Sequence, residues 1–94
     1  MQRFLIGIRS DVTGEEWSEG YDAAAKGVSS LHDALDWAND TVAQFNLKER
    51  HRRSFVPDVP LRTVKRPIYK ARTRTLLYVE DPESGERLTV ATED

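Results

Sequence analysis

Lys70, Arg72 and Arg74 alternate with Ala71 and Thr73 in a run that continues through Thr75, Leu76, Leu77, Tyr78 and Val79. On an extended backbone this places the three cations on one side, about 6.6–7 Å apart. That interval approximates the phosphate spacing of an extended nucleic-acid strand. Tyr78, and Tyr69 further back, could stack on bases, while Arg50, Arg52, Arg53, Arg62, Lys65 and Arg66 widen the basic patch. The same side of the run also suits a protein partner. Leu5, Ile68, Leu76 and Tyr78 share it with the cations, and apolar residues interleaved with Lys and Arg resemble an interface more than a solvated face.

Other chemistry has thinner support. His32, Asp33, Asp36 and Asp40 cluster on one side of a helix, with His32 and Asp36 at the i, i+4 spacing that can hold a divalent ion. Surface aspartates near a helix start equally serve the helix dipole, and that reading is preferred. His51 lies between Arg50 and Arg52, where like charge favours its neutral form, but no Ser, Cys or carboxylate stands at a spacing that would complete a catalytic pair. The chain lacks a Gly-rich phosphate loop, a GxSxG elbow and a paired metal-ligand motif. No catalytic residue, metal site or cofactor is therefore expected.

The net charge of −2 conceals a partition. Residues 1–47 carry three cations against eight carboxylates, residues 48–74 ten cations against Glu49 and Asp58, and residues 75–94 Arg87 against six carboxylates. A basic middle between acidic ends fits either contact with the chain's own acidic parts or an anionic partner. The acidic pI of about 5.7, and the absence of RNP, helix-turn-helix or finger signatures, count against a dedicated nucleic-acid domain. An apolar share of 38% beside a charged share of 32% predicts a thin, two-layer core in a single domain spanning residues 1–94. No run is long enough to cross a bilayer, and FLIGI is too short for a signal-peptide core, so no membrane association and a cytoplasmic location are the default expectations. The absence of cysteine rules out disulfides and thiolate chemistry.

The elements that must position these residues follow from periodicity. Leu31, Ala34, Leu35, Ala38, Val42 and Phe45 recur at helical spacing and form one stripe over residues 30–46. Ser30 with Asp33 resembles a capping box, and Asn46 offers a left-handed stop. Trp37 flanks the stripe as rim packing. Residues 3–10 alternate as a strand, with Phe4, Ile6 and Ile8 on one side. After turn residues Asp11 to Glu15, residues 16–22 return with Trp17 and Tyr21 on one face and Glu19 between them. Residues 68–80 and 87–92 form a second hairpin around Asp81 to Glu86. In it, Thr75, Leu77 and Val79 face the helix, and Arg72, Arg74, Leu76 and Tyr78 face away. Between helix and second hairpin, residues 48–66 read as a basic, proline-containing surface connection. Its Pro57 to Arg62 run matches a short proline-rich ligand pattern of low specificity.

The predicted fold is α+β in the order β-β-α-β-β: two antiparallel hairpins forming a sheet packed on one central amphipathic helix. The expected function is that of a small non-catalytic binding or accessory protein. It would dock on a protein through the sheet face that the helix leaves uncovered, using Leu5, Ile68, Lys70, Arg72, Arg74, Leu76 and Tyr78. A second copy of the chain could use the same face as a homodimer interface. Short, cysteine-free, charge-partitioned chains of this kind are common among phage-encoded modulators of host proteins. The alternative is a nucleic-acid-binding domain using Arg50, Arg52, Arg53, Lys70, Arg72 and Arg74.

Overall fold

The computed structural model describes residues 1–54 and 71–90. Strands β1 (Arg3–Ser10) and β2 (Glu16–Asp22) lead through a short 3-10 turn (Ala24–Lys26) into the helix α1 (Leu31–Ser54). Strands β3 (Arg74–Glu80) and β4 (Arg87–Thr89) follow. The four strands form one antiparallel sheet in the order β2-β1-β3-β4, so the two hairpins join along β1 and β3. This is the α+β, β-β-α-β-β architecture that the periodicity predicts.

The two hairpin turns are built alike. Ser10 N–H donates to Glu15 O and Gly14 N–H to Ser10 O, each at 2.8 Å; Asp81 N–H donates to Glu86 O and Gly85 N–H to Asp81 O at the same distance. Thr13 Oγ1 and Ser84 Oγ each accept the N–H two residues ahead at 3.2 Å. Gly14 and Gly85 supply the positive φ, 76° and 79°, that closes each turn.

The helix start follows the predicted cap with a shift of one residue. Asp33 N–H donates to Ser30 Oγ at 3.2 Å, but the Asp33 carboxylate reaches back to Ser29, accepting its hydroxyl at 2.7 Å and its N–H at 3.3 Å. The helix end differs more. It runs to Ser54, eight residues past the predicted stop, so residues 48–54 belong to α1 rather than to an irregular connection. Leu47 faces outward, 56% exposed, as the wheel requires. The helix nevertheless continues, because its inward positions become polar rather than absent. Asn46 N–H2 donates to Arg74 O and Asn46 Oδ1 accepts Arg74 N–H, both at 2.8 Å, and Glu49 is buried. Leu, Lys, Glu and Arg also sustain a helix well, and cations near its C-terminus suit the dipole.

One residue too many in β3 changes what faces the core. Gly7 pairs with Tyr78 and Ile8 with Leu76, leaving Leu77 without a partner on β1. Such a bulge reverses the in–out alternation on one side of it. Val79 keeps its predicted place against the helix, whereas Leu76, predicted to face away, is 4% exposed in the core. Arg74 swings to the helix side with it, its guanidinium carbon 4.0 Å from the centroid of the Phe45 ring. The core comprises Phe4, Ile6 and Ile8 of β1, Leu76 and Val79 of β3, Ala34, Ala38 and Val42 of α1, and Ala23 and Val28 of the link from β2 to α1. Small residues along the helix stripe let α1 sit close to β3. At the predicted positions, Leu31 and Leu35 are half-buried against this core, as are Leu88 and Val90 from the last strand and its exit.

Candidate docking surface

The axis of α1 lies mainly over β3, and β2, at the end of the sheet, lies at the margin of its footprint. Trp17, Glu19 and Tyr21 point from β2 to the helix side, opposite Ile8, Ile6 and Phe4 of β1. With the helix seated elsewhere, they are only half-buried. Trp37 and Phe45, on the flank of α1 nearest them, complete a half-exposed aromatic shelf. Tyr21 and Trp37 meet edge to face with centroids 4.8 Å apart, and Phe4 lies beneath both, at 5.7 Å from Tyr21 and 5.4 Å from Trp37.

Each end of the shelf carries a cation on its rings. Lys26 Nζ stands 5.6 Å from the Trp37 centroid and 5.7 Å from that of Tyr21. At the other end the Arg74 guanidinium lies between Phe45 and Trp17, 5.0 Å from the latter's centroid. Between them is Glu19. Trp17 Nε1–H donates to its carboxylate at 2.8 Å, and the Tyr21 hydroxyl donates to the other oxygen. The Tyr21 bond, more than that from Trp17 or the field of Arg74, holds the Glu19 carboxyl below its ordinary range against the opposing effect of burial. Burial pushes the Tyr21 hydroxyl up to about 12, helped by the bond to Glu19 and its negative charge. The shelf is thus pre-arranged: its one carboxylate already has two donors, and two of its rings, Tyr21 and Trp37, meet edge to face.

Beyond Arg74 the shelf opens into a cleft of about 570 Å³ between the β1–β2 turn, the later half of α1 and the approach to β3, with Glu15, Phe45, Glu49 and Arg72 among its walls. Asp11 fastens the turn to that approach. It accepts the hydroxyls of Thr73, at 2.8 Å, and Thr75.

The residues singled out in the sequence do not come together as expected. Leu5 and Tyr78 are on the helix-free side of the sheet. Tyr78 lies flat on Gly7, where a Cβ would come within 2.0 Å of its ring, and Arg87 covers its other side at 3.9 Å from the centroid. Arg87 is held there by Glu80 at 2.8 Å. Arg74 and Leu76 have moved to the opposite side, so the expected face keeps only part of its set. Arg72 is exposed just before β3, and Arg50 is exposed on the helix. Arg52 and Arg53 extend α1; Ile68 and Lys70 lie outside the described residues, as does the run from Pro57 to Arg62. His32, Asp36 and Asp40 are exposed along the outer side of α1, and Asp33 is engaged by the cap. Among the described residues no three His, Asp or Glu side chains are placed to share an ion.

Trp17 and Tyr21 were legible as inward-facing but not as a surface. The signal available was Glu19 between them, because a carboxylate on the inward side of a strand marks a place where the core is incomplete. No protein family, curated protein or solved structure matches the chain.

Proposed function

We propose that the chain is a small non-catalytic binding protein that docks on another protein, and that the shelf on β2 is its contact surface. The observation that carries this reading is the half-buried set Trp17, Tyr21, Trp37 and Phe45, bracketed by Lys26 and Arg74. Trp, Tyr and Arg are the side chains that dominate protein interfaces, and rigid rings that need no reordering on binding lose little entropy. The helix-free side has less to offer, since its aromatic ring is already covered by Arg87. The test is affinity capture from the source cell with the tagged chain. A partner retained by the parent and by Tyr78→Ala, but lost in Trp17→Ala with Trp37→Ala, supports this reading, provided the double variant keeps its circular-dichroism spectrum. Loss in Tyr78→Ala instead moves the site to the helix-free side.

Nucleic-acid binding is the second reading, favoured by exposed Arg72 and weakened by the engagement of Arg74 with two rings. It requires a polarisation signal with single-stranded oligonucleotide that falls steeply with salt and drops in Arg72→Ala. A flat response at low salt removes it.

A further inference from the structure

We infer that the outer edge of β2 accepts an extended lysine- or arginine-bearing segment of a partner protein as a fifth strand. This rests on the docking reading above and gives the partner's chemistry and pose. Among the described residues strand β2 ends the sheet. The bonds Ser10 N–H to Glu15 O and Ala23 N–H to Gln2 O set the phase of the β1–β2 ladder. In that phase the directly bonded pairs are Phe4–Tyr21, Ile6–Glu19 and Ile8–Trp17. The N–H and C=O groups of Glu16, Ser18, Gly20 and Asp22 therefore turn to the outer edge, a seven-residue template. Natural edges are commonly blunted by proline, lysine or a bulge; β2 contains no proline or lysine and pairs with β1 in unbroken register. Its remaining guard is Glu19, and the bonds from Trp17 and Tyr21 already satisfy that carboxylate.

Charge selects the occupant. Glu15, Glu16, Glu19 and Asp22 lie along this edge, and β2 itself carries no cation. Arg9 and Arg3 are the register partners of Glu16 and Asp22, yet among the described residues neither carboxylate closes an ion pair. A second copy laid antiparallel about Glu19 would set Glu16 against Asp22 twice, and like charges directly opposite destabilise a ladder. A cationic segment would set its charges against Glu16 and Asp22 instead, with the Arg3 guanidinium across Gly20 as the like charge between them. Its alternate side chains would carry their charge beside Glu16 and Asp22 on the helix-free side and be apolar on the helix side, where Arg74 and Lys26 already rest on Trp17 and Tyr21.

The experiment uses the full chain and an alternating lysine–valine peptide of the length of β2, followed by amide hydrogen exchange and polarisation at low salt. The expected result is that the amides of Ser18 and Gly20 exchange rapidly in dilute free protein and become protected with the peptide. Affinity should fall about tenfold in Glu16→Gln with Asp22→Asn. A peptide N-methylated at every residue, which leaves neither edge able to donate, should lose binding. Protection of Ser18 and Gly20 before peptide is added overturns the inference, because the edge is then already covered. So does a glutamate–valine peptide that binds as well, an N-methylated peptide that binds unchanged, or no binding at all. If the peptide fails while the captured partner still depends on Trp17 and Trp37, docking on the shelf stands and strand addition falls.

Discussion

The helix-facing side of the sheet has two halves made by different means. Over β3, Val79 and Leu76 meet Ala34 and Ala38, all at most 4% exposed. Over β2, at the margin of the helix, the side chains are Trp17, Glu19 and Tyr21, all half-buried, and the helix answers with Trp37 and Phe45. Alanines let the helix backbone approach and exclude water; wide rings hold it off and leave their polar atoms to be matched. The first half should therefore supply most of the stability, and the second should tolerate change. Leu76→Asp breaks the comparison most severely. It places an unmatched carboxylate where 4% of the residue is exposed, and a loss above about 4 kcal/mol should leave the chain unfolded by circular dichroism. A folded Leu76→Asp would mean that the bulge does not turn Leu76 inward.

The next effect lies where the two halves meet. Asn46 bonds both backbone groups of Arg74 at 2.8 Å and so pairs the first residue of β3 as a neighbouring strand would. Asn46→Ala leaves a half-buried N–H and C=O without those partners and should cost about 1–3 kcal/mol in urea unfolding. Because Arg74 then loses its anchor between Phe45 and Trp17, tryptophan fluorescence should shift as well. An unchanged midpoint would assign that bond no weight. Trp17→Ala should cost less, about 1–2 kcal/mol, since only part of the ring leaves water on folding. A cost equal to that of a core deletion would show the shelf to be ordinary core.

Most of this fold was legible because it obeys short-range rules. Strands β1 and β2 follow from alternation, and the matched turns from Thr13-Gly14-Glu15 and Ser84-Gly85-Glu86, whose hydroxyl, glycine and following N–H make the same bonds in both. What escaped depended on partners distant in sequence. The bulge at Leu77 is set by pairing with β1, and no local pattern in residues 74–80 marks it, so simple alternation puts Arg74 and Leu76 on the wrong side. The helix beyond Asn46 is held inward by a polar side chain bonded across to β3, which apolar periodicity does not register. The aromatic shelf is half-visible for the same reason. Alternation put Trp17, Glu19 and Tyr21 on one side, but how far α1 covers that side depends on where Ala34 and Ala38 let it settle.

The smallest effect bears most directly on whether the β2 half is pre-arranged. Burial and the bond to Glu19 hold the Tyr21 hydroxyl up at about 12, while that same bond draws the Glu19 carboxyl below its ordinary value. A raised phenol stabilises the fold fully below the unfolded value of 10.0, and this contribution is lost as pH climbs toward 12. A lowered carboxyl works in the opposite window: its contribution is present above the unfolded value of 4.5 and is lost as pH falls through the folded one. Stability should therefore decline at both extremes, and Glu19→Gln should flatten the acid side while bringing Tyr21 part of the way back toward 10.0. Full return is not expected, because burial, the larger cause, remains. Ring-resolved NMR titration of Tyr21 separates it from Tyr78. If Tyr21 titrates at an ordinary value in the parent, its bond to Glu19 is not populated in solution, and the shelf is not pre-arranged.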